Sequence, residues 1–279
     1  MIYYKTEEEV ELLRAANMLV ANTHAHLAKE IKPGVSSNFL NQLADTFIYD
    51  HKATPAFKGY NDFPAACCMS INDAVVHGFP SDYELQDGDI ISVDIGTVLN
   101  GFVGDSAYTY AVGEQKQETL ELLARTKDAL YLGIQQAVVG KRIGDIAFAI
   151  QNATEKKYGY GVVRELTGHG VGKLLHEEPE VPNYGKRGQG VKLQKGLTIA
   201  IEPMITLGER AIYCEEDGWT IRTRDESYAA HFEHSIAVRK GEADILSSFV
   251  PIEKSEKENP NLNDSYNELR QVSAPWQTN

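Results

Sequence analysis

The feature that most constrains the fold is a pair of apolar stretches spanning residues 89–112 and joined by Asn100-Gly101. Asn-Gly suits a two-residue type I′ turn, so we predict a β-hairpin with antiparallel strands on either side of it. In this register Asp94 and Asp105 lie on one face of the ribbon as diagonal neighbours, roughly 7–8 Å apart at the backbone. The hairpin therefore brings two carboxylates together.

The opposite face of this hairpin is apolar, and we predict that it is buried in the core. It carries Ile91, Val93, Ile95, Phe102 and Tyr108. Two carboxylates beside such a face repel each other unless something positive lies between them. The hairpin alone leaves two interpretations open. Either the aspartates are solvated or held in a salt bridge, or they bind a cation.

The composition is that of an ordinary globular protein. A length of 279 residues with 42% hydrophobic content allows one large domain or two small ones. The net charge of −13 argues against sequence-independent nucleic-acid binding, and no apolar run approaches the ~20 residues of a membrane span. The start shows no signal peptide, and three cysteines without metal spacing indicate reduced thiols. We predict a cytoplasmic protein without a nucleic-acid or membrane partner.

The order of elements predicts an α+β fold. Two helical stripes followed by antiparallel strands occur twice, in halves covering about 1–112 and 113–251. The repeated order indicates an internal duplication of structure within one domain over residues 1–251. Residues 252–279 are polar with little periodicity, and we interpret them as either a poorly ordered extension or a strap against the body.

Three further residues of the second half stand out for their chemistry. The predicted strands Leu197–Ile201 and His231–Val238 are largely apolar, yet Glu202 ends the first and Glu233 lies within the second. His169 lies among glycines at the end of another strand, where the backbone can approach something closely. Alone, a histidine in a glycine-rich turn is as often a buried structural residue as a ligand.

Together these residues predict a metal site. Asp94, Asp105, Glu202 and Glu233 lie in segments apolar enough to be interior, where carboxylates are costly unless paired or metal-bound. Their strands contain no matching set of four basic residues. Four carboxylates carry −4, and two divalent cations carry +4. Oxygen ligands together with one imidazole, from His169, suit a metal such as Mn²⁺, Fe²⁺ or Co²⁺. A structural zinc site would use thiolate ligands instead.

Four segments resemble the motifs of the type I methionine aminopeptidase family, namely DIISVDIGTVLNGFVGDSA, TGHGVGKLLHEEPEVPNYG, IAIEPM and AHFEHSI. The resemblance runs from Lys5 to about Val250, and all five expected ligand positions hold suitable residue types in order. It implies the pita-bread fold of a metallopeptidase. In that fold, two pseudo-symmetric halves, each with two helices packed on a curved, mainly antiparallel sheet, enclose a dinuclear metal site in a single catalytic domain.

The resemblance also implies the role of each ligand. Asp94 would bind one metal, Asp105 and Glu233 would bridge both, and His169 and Glu202 would bind the other. Glu202 would in addition be the general base that takes a proton from a bridging water, and the resulting hydroxide would attack the first peptide bond. The implied cofactors are two divalent ions per chain, Co, Mn or Fe, with Zn and Ni as further candidates.

Two more histidines receive catalytic and substrate-binding roles from the resemblance. His176 would hydrogen-bond the substrate and stabilise the developing oxyanion, and His77 would contact the scissile amide. Without the resemblance, His77 is a turn histidine and His176 belongs to a surface loop. The remaining histidines we interpret as structural or solvated: His24, His26, His51, His231 and His234.

Specificity would come from an apolar pocket sized for a flexible thioether. The resemblance implies these lining candidates: Phe57, Tyr60, Phe63, Cys68, Leu175 and Trp219. Aromatic residues in a loop usually just pack, and that interpretation stays open. The chain departs from the family pattern at Asp62, where glycine is frequent, and at Leu175, where an aromatic residue is frequent. Both departures bear on pocket shape and not on metal chemistry.

The predicted function is metal-dependent removal of the N-terminal methionine from nascent proteins and peptides. The expected partner is thus the nascent chain's N-terminus, with transient ribosome proximity, for a protein expected to be a monomer. Two alternatives remain. One is an Xaa-Pro-type peptidase of the same fold, although such relatives usually carry a separate N-terminal domain for which we expect no room here. The other is a non-catalytic peptide-binding protein, although such proteins typically lose ligands.

Overall fold

The computed structural model describes residues 1–272, and its mixture of helices and antiparallel sheets confirms the predicted α+β class. Its longer helices are α1 (Glu7–Ala28), α2 (Ser37–Asp50), α3 (Gln117–Ile134), α4 (Ile143–Gln151) and α5 (Val250–Glu258). Over the same residues, every helix is too short or too polar to cross a membrane.

The strands of the described chain are mostly short. The first half contributes β1 (Thr54–Pro55), β2 (Cys67–Ile71), β3 (Ala74–Val76), β4 (Ile90–Leu99) and β5 (Phe102–Ala111). The second half contributes β6 (Gly161–Val162), β7 (Gly168–Gly170), β8 (Glu177–Val181), β9 (Thr198–Ile201), β10 (Met204–Thr206), β11 (Ile212–Cys214), β12 (Ile221–Thr223), β13 (Ala229–His231), β14 (His234–Ala237) and β15 (Asp244–Ile245). The sheet orders are β1-β4-β2 with β5 beside β4, β15-β14-β9-β7-β8, β13-β10-β6, and β11-β12-β3.

The central hairpin has the predicted register. Strands β4 and β5 pair along their whole length, with Leu99 opposite Phe102. The turn residues Asn100 and Gly101 have φ angles of 52° and 78°, the pair of positive values that a type I′ turn requires. The other edge of β4 pairs with β1 and β2. These contacts make the hairpin the centre of the first half.

Helix α1 packs directly on this hairpin. A Cβ added to Gly104 would lie 2.4 Å from the carbonyl carbon of Ala16, so only glycine allows this approach. Thr97 Oγ1 donates to the Ala16 carbonyl at 3.0 Å, and the amide of Asp105 donates to Asn17 Oδ1 at 3.1 Å. The helix therefore fixes the backbone of one of the predicted metal ligands.

The strands of the second half change sheets at two points. A continuous strand over 231–238 was predicted, and this is wrong: the chain is broken at Phe232-Glu233, because β13 pairs with β10 whereas β14 pairs with β9. Strands β9 and β10 are likewise separated by Glu202-Pro203. Proline lacks the N–H that a continuing ladder would use. Both breaks leave a glutamate between two sheets.

Residues 250–272, at and beyond the end of the body predicted from the sequence, form a strap. Residues 273–279 lie outside the described residues. Helix α5 opens this strap and packs against α1. Asn259 Nδ2 donates to the carbonyl oxygens of Ala28 and Ile31, at 2.7 Å each. The bond to Ala28 satisfies an acceptor at the end of α1 that the helix itself cannot satisfy, and the bond to Ile31 satisfies one in the loop that follows.

The strap also neutralises a fully buried lysine on α3. Lys127 Nζ lies 2.9 Å from Glu253 Oε1 and donates to Asn267 Oδ1 at 2.9 Å. It also donates to Tyr108 Oη, which in turn donates to Glu256 Oε2 at 2.7 Å. A buried ammonium needs such partners because burial without them is costly. The strap is thus part of the folded core.

We predict that Asn259→Ala lowers the free energy of unfolding by about 2 kcal/mol, because it leaves two buried carbonyls without a donor. Urea unfolding followed by circular dichroism measures this change. Asn263→Ala is the matched control, since the Asn263 side chain accepts bonds within its own turn, from Ser265. Equal losses in the two variants would contradict the assigned role of Asn259.

Candidate active site

The hairpin supplies two carboxylates to one cavity. Asp94 on β4 faces Ala107 and Asp105 on β5 faces Gly96, so the two aspartates are diagonal neighbours. Asp105 is 3% exposed, and both side chains line the cavity. The small residues opposite them leave room for the carboxylates to converge.

The two glutamates reach the same cavity from the breaks between sheets. Glu202 lies between β9 and β10, and Glu233 lies between β13 and β14. The amide of Glu233 donates to the Ala107 carbonyl at 2.9 Å, which ties this break to the hairpin. A residue outside both ladders is free to direct its side chain into the space between the sheets.

His169 enters between its two glycine neighbours on β7. A Cβ on Gly168 would lie 2.4 Å from the Ala200 carbonyl oxygen, and one on Gly170 would lie 2.3 Å from that of Glu178. Only glycine fits at both positions, so the glycines let β7 pack closely between its neighbours. His169 Nδ1 lies 2.9 Å from the Gly170 carbonyl oxygen and donates to it, which leaves Nε2 as a free acceptor.

These side chains converge within a few ångströms. His169 Nε2 lies 3.6 Å from Asp105 Oδ2 and 3.6 Å from Glu202 Oε1. One ligand atom each of Asp105, His169 and Glu233 lie within 4.8 Å of one another. The spacing is that of groups facing a common centre, too long for direct hydrogen bonds.

Burial strongly disfavours the charged forms of the carboxyl and imidazole groups in this cluster. It raises the pKa of Asp94 to about 7 and that of Glu202 to about 8. Burial and the neighbouring carboxylates together raise the pKa values of Asp105 and Glu233 well above their usual range. Burial also lowers the pKa of His169 to about 3, so this imidazole is neutral. Neutral imidazole and free carboxylate oxygens are the forms that bind metals.

The residues present fit a divalent metal. Asp94 Oδ1, Asp105 Oδ1 and Glu233 Oε1 are buried without a hydrogen-bond partner in the part of the chain that the structure describes. Over those residues the cavity lining contains neither lysine nor arginine. Buried acceptors without donors are costly, and a cation is the missing partner that such oxygens favour.

His77 and His176 lie in the same cavity as the predicted ligands. His77 has a φ of 59°, a strained conformation for a residue with a side chain, and burial lowers its pKa to about 4. His176 Nδ1 lies 2.7 Å from Tyr60 Oη, and its ring centroid lies 4.3 Å from that of His169. Both imidazoles therefore line the cavity that also holds the predicted ligands.

The predicted pocket residues line the apolar side of this cavity: Phe57, Tyr60, Phe63, Cys68, Leu175 and Trp219. Phe63 and Trp219 meet edge to face, with ring centroids 5.1 Å apart. Asp62 has a φ of 67°, which explains in physical terms why glycine suits this position.

The sequence analysis assigned no role at the site to Asn61, which lines the cavity, or to His231, which lies beside Glu202. Of the two interpretations given for His231, structural or solvated, the structure excludes the solvated one, because the residue is 2% exposed and its Nε2 lies 3.6 Å from Glu202 Oε2. A signal was available, because strand alternation places His231 on the same face as Glu233. The position of Asn61, in a left-handed turn, carried no such signal.

Comparison with known proteins shows which family the chain resembles. A model of metallopeptidase family M24 matches residues 11–240. The methionine aminopeptidase of Clostridium acetobutylicum is 46% identical over 248 residues, which cover 88% of this chain and 99% of the relative. Methionine aminopeptidase 1 of Bacillus subtilis is 47% identical over 247 residues, again covering 88% of this chain and 99% of the relative.

The solved structures agree as well. The crystal structure of methionine aminopeptidase from Rickettsia prowazekii matches with a TM-score of 0.87 and 40% identity, covering 89% of this chain and 100% of that one. This likeness confirms the predicted pita-bread fold, and the family implies binding of divalent metal. The chain therefore belongs to metallopeptidase family M24, a family of hydrolases, and within it to the methionine aminopeptidases.

Proposed function

We propose that this protein removes the N-terminal methionine from peptides and nascent proteins. The observation that carries the proposal is the convergence of five ligand-type side chains in a cavity whose other side is apolar. Its relatives are named methionine aminopeptidases, and this supports the same reaction for this protein. A polar reaction centre beside an apolar pocket is the arrangement expected of an enzyme that selects one side chain and cuts next to it.

Two divalent ions would be held in this cavity. In the proposed assignment Asp94 would hold one ion, His169 and Glu202 would hold the other, and Asp105 and Glu233 would serve both. Four carboxylates balance the charge of two such ions. When bound, the ions supply a water of lowered pKa and polarise the scissile carbonyl. Cobalt, manganese and iron remain the predicted metals, with zinc and nickel as further candidates.

The chain's own groups would handle the protons and the developing charge. Burial gives the Glu202 carboxyl a raised pKa, which makes its ionised form a stronger base than an exposed glutamate. Burial lowers the pKa of His176, so a neutral imidazole can donate one N–H to the oxygen of the scissile carbonyl. His77, held at the cavity by its left-handed turn, would contact the amide being cut.

The apolar side would select methionine. Phe63, Trp219 and Leu175 offer a wall of aromatic and aliphatic surface, and the Cys68 thiol lies among them. A thioether fits such a wall because it is flexible and makes favourable contacts with aromatic rings. The monomeric state, a cytoplasmic location and proximity to the ribosome remain predictions that the site does not address.

The experiment is hydrolysis of Met-Ala-Ser and of an Xaa-Pro peptide by purified protein with added Mn²⁺ or Co²⁺, with products separated by chromatography. We expect release of free methionine from the first peptide and little turnover of the second. Preferred cleavage before proline would indicate the Xaa-Pro-type alternative. Binding of both peptides without cleavage would indicate a non-catalytic protein.

Asp105→Ala is the control that ties this reaction to the metal site. A ligand shared by both ions should be needed for each, so we expect metal and activity to disappear together. Elemental analysis after dialysis gives the metal content, and circular dichroism verifies that the variant is folded. A folded variant that keeps two ions per chain would contradict the shared role of Asp105.

We predict that His176→Ala keeps its metal but lowers kcat by roughly 10²-fold or more, the scale of losing one oxyanion donor. Steady-state kinetics on Met-Ala-Ser measures this loss. His51→Ala is the matched control, because His51 lies at the end of α2 with its ring 4.2 Å from that of Phe47, outside the cavity. A near-normal kcat for His176→Ala would remove His176 from the mechanism.

A further inference from the structure

His231 carries an unexplained polar atom at the edge of the ligand cluster. Its Nε2 is buried and lacks a hydrogen-bond partner among the described residues. The atom that it faces is Glu202 Oε2, 3.6 Å away. A buried nitrogen without a partner is costly, so its position beside a carboxylate oxygen calls for an explanation.

The backbone holds His231 firmly in this place. Its amide donates to Thr109 Oγ1 at 3.0 Å, and Thr109 Oγ1 donates to its carbonyl oxygen at 2.7 Å. Within the β10–β13 ladder it pairs with Met204, two residues beyond Glu202. This pairing holds His231 next to the break between β9 and β10 that carries Glu202.

The two oxygens of Glu202 face different kinds of nitrogen. Oε1 lies 3.6 Å from His169 Nε2, which is an acceptor because the other ring nitrogen of His169 donates to a carbonyl. Two acceptors facing each other leave room for a cation between them. Oε2 faces His231, whose Nε2 has no competing partner and is free to carry the ring's proton.

We propose that His231 is a positioning residue that donates a hydrogen bond from Nε2 to Glu202 Oε2 and so directs Oε1 toward the metal. The 3.6 Å separation of His231 Nε2 and Glu202 Oε2 must shorten by about 0.6 Å to reach hydrogen-bond length. Residues that orient a metal ligand in this way typically change metal affinity or activity 10- to 100-fold when removed. The inference rests on the proposed role of Glu202 as a metal ligand.

The test compares His231→Leu with His231→Gln, in which the amide retains a donor of similar reach. Calorimetric titration of the metal-free proteins with Mn²⁺ gives affinity and stoichiometry, and hydrolysis of Met-Ala-Ser gives kcat. We expect His231→Leu to lower Mn²⁺ affinity or kcat by roughly 10-fold or more at unchanged stoichiometry. We expect His231→Gln to restore both to within about threefold of wild type.

His234→Leu is the matched control within the same short segment. His234 is also buried, but its Nδ1 is 2.6 Å from Ser247 Oγ and its Nε2 is 3.3 Å from Tyr131 Oη, away from the cluster. This variant should lose stability without losing Mn²⁺ affinity. If it loses as much affinity as His231→Leu, the effect is one of core packing and the proposal is wrong.

Three other outcomes would overturn the proposal: unchanged affinity and kcat in His231→Leu, loss of one Mn²⁺ equivalent, or failure of His231→Gln to rescue. Loss of one equivalent would make His231 a ligand. Glu202→Gln separates this failure from that of the proposed function. If Glu202→Gln is inactive while His231→Leu is normal, only the inference about His231 fails. If Glu202→Gln keeps full activity and affinity, the role proposed for Glu202 fails first.

Discussion

Four buried carboxylates that repel one another determine what the surrounding structure must supply. Asp94, Asp105, Glu202 and Glu233 share one cavity, and burial raises the pKa of each of them. Such a cluster disfavours the folded state unless the carboxylates bind protons or a cation. The residues around this cluster must hold the carboxylates in place, since the carboxylates repel one another.

The surrounding structure supplies that rigidity from separate directions. Helix α1 fixes the hairpin through Gly104 and Asn17, and the breaks between sheets release the two glutamates from their ladders. The strap supports the hairpin from its other face through Tyr108, which lies on β5 three residues beyond Asp105. The two strands that carry the predicted ligands Asp94 and Asp105 are therefore also the strands that α1 and the strap contact.

The sequence predicted local features well and long-range ones less well. Asn100-Gly101 determines its own turn, so the hairpin register could be predicted from a few neighbouring residues. The break at Glu233 could not be predicted in this way, because it arises from the pairing of β13 with β10 and of β14 with β9, strands that are distant in the sequence. The sequence left open whether residues 252–279 form a strap or a poorly ordered extension, and the docking of the strap could not be predicted. It depends on polar contacts such as that of Asn259 with the end of α1, which leave no periodic pattern in the sequence.

The central test is the thermal unfolding of metal-free and Mn²⁺-loaded protein between pH 7 and 8.5, a window above the range in which buried neutral histidines such as His77 and His169 change stability in the opposite sense. Folded pKa values of about 7 for Asp94 and about 8 for Glu202 lie above their unfolded values, so their stabilising effect is present at low pH and lost as pH rises. We predict that the unfolding temperature of the metal-free protein falls across this range, and that bound Mn²⁺ removes the fall because it needs ionised ligands. A pH dependence that is the same with and without Mn²⁺ would contradict the account.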